Sequence, residues 1–203
     1  MSKKIILFSI ALAVTFGVAT QVEAKKRLKM TNYLFAYFIG NAPQEEQIHF
    51  AVSNDGFNYT PLNGGNPVIG SDSIALTKAV RDPHILRGED GSYFMVVTDM
   101  RSSLGWSSNR GIVLLHSKDL VHWTHRTVHF PEKYKGTHFA HVTRVWAPQT
   151  IYDKSVGKYM VYFSLLTDDG SIPYDRVYYC YANADFTDLE GEPQVLFDYK
   201  QPA

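Results

Sequence analysis

The chain reads as a succession of short apolar, aromatic-rich runs broken by Gly, Pro, Asn and Asp, and few segments carry a helical period. Short runs bounded by such turn residues predict strands. They fall at 31–38, 47–53 and 58–62; at 84–87, 93–98, 111–117 and 124–130; and at 149–153, 159–165, 177–182 and 194–197. Asn54-Asp55-Gly56 is a turn signal between the first two runs. Asn63-Gly64-Gly65-Asn66-Pro67 closes the first set, because Gly and Pro interrupt strand ladders.

The same grammar repeats. Asp55-Gly56-Phe57-Asn58-Tyr59-Thr60 matches Asp119-Leu120-Val121-His122-Trp123-Thr124, with a weaker copy from Asp185 to Leu189; the three Asp residues are spaced by 64 and 66 positions. Aromatic strands begin at Tyr33, Tyr93 and Tyr159, spaced by 60 and 66. Two features with one period predict a stacked or radial unit of about four strands, the blade of a β-propeller. The expected class is therefore all-β. The second and third units have four strands; the first has three and lacks its inner one. A propeller needs about four blades or more, so the expectation is that the chain is a truncated part of a longer propeller. A complete β-sandwich of eleven strands is the alternative.

Composition adds limits. Lys+Arg and Asp+Glu are each 20, which gives no electrostatic reason to expect nucleic acid or a membrane surface as partner. Lys3 and Lys4 precede an apolar run over 5–19, and Val22-Glu23-Ala24 ends on a small residue. This predicts a signal peptide over 1–24, cleaved after Ala24, and a secreted or periplasmic chain of residues 25–203. The run is short of the ~20 residues that span a bilayer, so no membrane span is expected after cleavage; an uncleaved anchor is the alternative. Cys180, the single cysteine, sits in an apolar run and is expected to be buried and inert. His122, His125 and His129 are close in sequence, but the first two point to opposite faces of a strand. With no acid at ligand spacing, neither a metal nor a cofactor is expected. His138 and His141 are candidates for a cavity rim.

The chemistry lies in two related stretches. Arg81-Asp82-Pro83-His84-Ile85-Leu86-Arg87 and Trp146-Ala147-Pro148-Gln149-Thr150-Ile151-Tyr152 each lead through a Gly turn into an aromatic strand. The first has an acid beside its proline and the second an amide. Asp82 is either a working carboxylate or a former of a local turn. Asp99, at the end of its strand, is either a rim residue or a turn cap. Arg81 is placed to keep Asp82 ionised.

These stretches, with Tyr33 to Phe38, Ser53-Asn54-Asp55-Gly56-Phe57, His116 to Trp123 and Gly157 to Tyr162, resemble glycoside hydrolase family 43 over residues 31–199. The resemblance implies a five-bladed propeller, exported, that hydrolyses arabinose- or xylose-containing plant glycans with inversion. It makes Asp82 the general base. It puts the acid that modulates the pKa at Gln149, where this chain departs from the pattern. The general acid is expected beyond residue 203, since Glu190 and Glu192 read as a turn before an outer strand. Arg81, His84, Asp99 and Trp146 become candidate substrate contacts, with Trp146 either stacking on a sugar or packing between blades. The partner is an oligo- or polysaccharide, and uncovered blade faces point to self-association. With one of three catalytic groups in hand, the chain is expected to be inactive alone. A non-catalytic carbohydrate-binding propeller is the rival reading, and an assembly module a third.

Overall fold

The computed structural model describes residues 32–197, so the predicted signal peptide lies outside the described residues. Among the described residues eleven strands form three antiparallel sheets. The first holds β1 (Tyr33–Tyr37), β2 (His49–Ser53) and β3 (Thr60–Pro61) in that order. The second runs β4 (Val80–Arg87), β5 (Tyr93–Asp99), β6 (Gly111–Ser117) and β7 (Trp123–His129). The third runs β8 (Val142–Asp153), β9 (Lys158–Thr167), β10 (Arg176–Ala182) and β11 (Leu189–Phe197). Two four-residue helices, α1 (Ser71–Ile74) and α2 (Phe130–Lys133), fill connections. Among the described residues no helix is long and apolar enough to cross a membrane.

The periodic turn is real and has a physical cause. After β2, the Ser53 hydroxyl accepts from the Asp55 and Gly56 amides while Asp55 Oδ1 accepts from the Phe57 and Asn58 amides. After β6, Ser117 and Asp119 repeat these bonds to Asp119, Leu120, Val121 and His122. These donors hold both carboxyls well below the usual carboxylate range, the Asn58 amide chiefly for Asp55 and the His122 ring chiefly for Asp119. The turn needs a left-handed residue at its third position. Gly56, Leu120 and Phe186 supply it with φ of 79°, 67° and 54°. This equivalence matches β1 with β5 and β9. Among the described residues, then, the first sheet has no counterpart of β4 and β8, the inner strands.

Strand periodicity builds the blade contacts. Along β5, Phe94 and Val96 join the core between the second and third sheets, while Met95 and Val97 join the core between the first and second. A strand buried on both faces reads as an unbroken apolar run, as Tyr93 to Val97 does. On β1, Leu34 and Ala36 pack inward, whereas Tyr33 and Phe35 stay more than half exposed on the other face. Cys180 is buried as expected, and desolvation pushes its thiol up to about 11.

Three strands begin four or more residues before the expected position, β4 among them at Val80. β8 begins at Val142, seven residues earlier than the pattern implied, because Pro148 sits in a bulge that does not end the strand. β11 begins at Leu189, so Glu190 and Glu192 lie within an outer edge strand and not in a turn; Pro193 is tolerated there because edge positions need not donate. Glu190 pairs with Lys158.

Candidate active site

The two Pro stretches fold into the same device. Arg81 pairs with Thr98 and His84 with Val96, so Asp82 and Pro83 together oppose Val97. Trp146 pairs with Ser164 and Gln149 with Tyr162, so Ala147 and Pro148 together oppose Phe163. Each is a two-against-one bulge on an inner strand. Proline suits it, because a bulge leaves a residue outside the ladder and no donor is lost. The residue before each proline is left-handed, with φ 52° at Asp82 and 47° at Ala147. Such backbone is rare for residues with a Cβ, costs on the order of 1–2 kcal/mol, and gathers at functional sites.

β8 borders β4 directly, and its amides on that side have no strand to pair with. Three side chains of the second blade supply acceptors instead. The buried Asn109 takes the Val145 amide on its Oδ1. The hydroxyl of Thr98, fully buried, takes the Ala147 amide at 3.0 Å. His84 Nδ1 takes the Thr150 amide at 3.2 Å. The spacing is two residues, then three, because the bulge inserts one between Ala147 and Thr150. Buried backbone donors are nearly always satisfied, and here the sequence does so with side chains.

Asp82 stands at the centre of this seam. Its Oδ2 accepts from the Thr98 hydroxyl at 2.8 Å. Gln149, half a turn of the bulge further along β8, is exposed, and its Oε1 accepts from the Tyr162 hydroxyl at 2.7 Å. The first bulge thus holds a carboxylate, and an amide follows one residue beyond the second, on adjacent inner strands.

The other expected contacts resolve differently. Arg81 does not serve Asp82. Its guanidinium is buried between the rings of Phe38 and Trp106, donates to Asn41 Oδ1 at 2.6 Å and pairs with the buried Glu46 at 3.7 Å. Asp99 is buried and not at a rim; it accepts from the Leu76 and Thr77 amides and the Thr77 hydroxyl, tying down the segment before β4. Period-2 geometry explains the split, since Asp99 and Thr98 face opposite sides of β5. Trp146 is half-buried, with the Arg144 guanidinium 4.5 Å over its ring. His138 and His141 are exposed on the turn preceding β8. Thr98, Glu46 and Trp106 were not singled out by sequence. The hydroxyls at Thr98 and Ser164, both paired with the residue before a bulge, were the available signal for the first. Among the described residues no group of three or more His, Cys, Asp or Glu is placed to hold a metal ion.

His84 carries a pH consequence. Its Nδ1 accepts, so the proton sits on Nε2 and the ring is neutral; burial lowers its pKa from the ordinary 6.5. Below pH 6.5 the unfolded chain takes up a proton that folded His84 resists. The contribution of this site is therefore fully present above 6.5 and is lost as pH falls below it. The melting temperature of His84→Gln should fall less than that of the parent between pH 7.5 and pH 5.5. An equal fall in both proteins would rule the site out.

A family model described as "Probable glycosyl hydrolase domain", related to glycoside hydrolase family 43, matches residues 29–203. An alpha-L-arabinofuranosidase of Bifidobacterium longum subsp. longum is 29% identical over 208 aligned positions, covering 91% of this chain and 19% of that protein. A glycosyl hydrolase from Bacteroides ovatus superposes with a TM-score of 0.55 at 18% identity, covering 84% of this chain and 49% of that one. An alpha-L-arabinofuranosidase from Lactobacillus brevis gives 0.54 at 15% identity, covering 82% and 50%. The chain spans about half the length of these two structures and about a fifth of the curated relative. The fold is of the five-bladed propeller type, with three blades among the described residues. With the match running from residue 29 onward, and bulged inner strands beneath it, the chain belongs to the glycoside hydrolase 43-related family.

Proposed function

We propose that this domain carries the general-base side of an inverting glycosidase that acts on arabinose- or xylose-containing glycans. The observation that carries the reading is the left-handed, bulged Asp82, whose Oδ2 is fixed by Thr98 at the head of an inner strand. In an inverting enzyme one carboxylate activates water while a second group protonates the leaving oxygen. Among the described residues the bulged segments of β4 and β8 carry one carboxylate, Asp82, and the amide of Gln149 just past the second bulge cannot deliver a proton as a carboxylic acid does. The arabinose part of the sugar class rests on the two similar proteins named arabinofuranosidases, and the xylose part on the family 43 resemblance alone.

The missing acid dictates the test. A 2,4-dinitrophenyl leaving group departs without protonation, so a base-only site can still turn it over. Inactive on substrates whose leaving group must be protonated, the chain should still release dinitrophenol from aryl α-L-arabinofuranoside or β-D-xyloside above the protein-free rate, with a rate enhancement at least ~10-fold larger than for nitrophenol from the matching nitrophenyl substrate, since general acid catalysis contributes ~10²–10⁴-fold. Proton NMR of the first-formed sugar should show the inverted anomer. A retained anomer overturns the mechanism. Binding of arabino- or xylo-oligosaccharides without any turnover would instead favour a carbohydrate-binding propeller, the reading that Gln149 at the second bulge supports.

A further inference from the structure

Thr98 joins the base to the neighbouring blade in a way that fixes the direction of a proton. Its hydroxyl oxygen accepts the Ala147 amide at 3.0 Å, and an amide can only donate. The hydroxyl has one proton, and with that oxygen 2.8 Å from Asp82 Oδ2 the proton is directed at the carboxylate. A hydroxyl free to rotate is equally donor or acceptor; this one is locked as a donor to the carboxylate. Thr98 is fully buried, so water does not compete for it.

We propose that Thr98 is the positioning residue of the active site. It holds Oδ2 and leaves Oδ1 as the oxygen that takes the proton from water, and it ties the Asp82 bulge to the Ala147 bulge so that both keep one register. The inference rests on Asp82 being the base. Two features of the chain fit it. The bulges are matched in register and handedness, and Thr98 is the side chain that bonds to both left-handed residues. Thr98 also faces the third blade, the same side as Phe94 and Val96, so β-strand alternation puts it there with no special backbone.

The test compares Thr98→Val, which keeps the shape and loses the hydroxyl, with Thr98→Ser, which keeps the hydroxyl. With the dinitrophenyl glycoside, Thr98→Val should lower kcat about 10- to 100-fold with KM within about twofold, the scale of a hydrogen bond to a charged group. Thr98→Ser should return kcat to within about threefold of the parent. A residue that only supported the fold would lower the melting temperature without this split or this rescue. Amide hydrogen exchange at Ala147 gives a readout independent of turnover: protection should fall in Thr98→Val and persist in Thr98→Ser. Unchanged protection in Thr98→Val overturns the proposal, and so does a kcat within threefold of the parent. If Asp82→Asn abolishes turnover while Thr98→Val does not, Thr98 alone is misassigned. If Asp82→Asn stays active, the base reading falls and this one with it.

Discussion

Replacing Asp82 with Asn should lower kcat for the dinitrophenyl glycoside about a thousandfold and leave the melting temperature within a few degrees of the parent. The substitution isolates chemistry from structure for three reasons. Asn is the same size as Asp. Its carbonyl oxygen can still accept from the Thr98 hydroxyl, so the 2.8 Å bond survives. Asn is also among the few residues that visit left-handed backbone readily, so φ of 52° costs it little more than it costs Asp. What disappears is basicity, and a positioned general base contributes ~10²–10⁴-fold. Asp82→Ala would mix this loss with an orphaned hydroxyl and a strained backbone, and is the poorer probe. Steady-state kinetics beside a thermal melt decide the matter. An Asn variant within tenfold of the parent would remove Asp82 from the mechanism.

Gly111→Ala should be the most damaging small substitution in the chain, costing about 3 kcal/mol. Gly111 opens β6, is buried, and pairs with Asp99 on one side and His129 on the other. A Cβ there would stand 2.3 Å from the Val128 carbonyl oxygen and 3.2 Å from its carbon. Both atoms belong to the backbone of the neighbouring strand, and neither can move without opening the β6–β7 ladder. Gly40 is the fitting control. A Cβ there would also meet an atom at 2.3 Å, but that atom is Oε2 at the end of the flexible Glu45 side chain, held by one bond from the Ala42 amide at 3.0 Å. Gly40→Ala should cost less than about 1 kcal/mol, because a flexible terminus can rotate away. Urea melts of the two variants test the contrast. Similar midpoints would mean that the second sheet yields more easily than its packing implies.

The blade architecture was legible because it is written locally. Ser53-Asn54-Asp55-Gly56 and Ser117-Lys118-Asp119-Leu120 each bind their own amides, so identical side chains at one spacing report identical turns. The Pro83 and Pro148 stretches were legible for the same reason, as interruptions in otherwise apolar strands. Contacts across the chain were not. Arg81 follows Val80 and precedes Asp82, and adjacency suggested an ion pair; its partner Glu46 sits 35 residues earlier in a loop. Asp82 and Asp99 are the same residue type, each close to an end of its strand. Only the bulge at one, and the donors converging from Leu76 and Thr77 on the other, separate a carboxylate held at an inner-strand head from one consumed in tying a loop. Thr98 was invisible because a threonine in a strand is ordinary until Ala147 is seen to donate to it.

The side-chain clamp along β8 also sets a timetable. Thr98 and Ala147 are 49 residues apart, and His84 and Thr150 are 66 apart. A ribosome adding about 5–20 residues per second releases the second segment some seconds after the first. Through that interval Thr98 has no amide to accept, its hydroxyl turns freely, and the carboxylate of Asp82 sits in a half-made seam. The second blade can reach its own hydrogen-bonded order in that time, but the geometry of its acid is borrowed from a blade still being made. Maturation of the site is thus a late, long-range event in the life of the chain, separate in time from the formation of the strand that bears it.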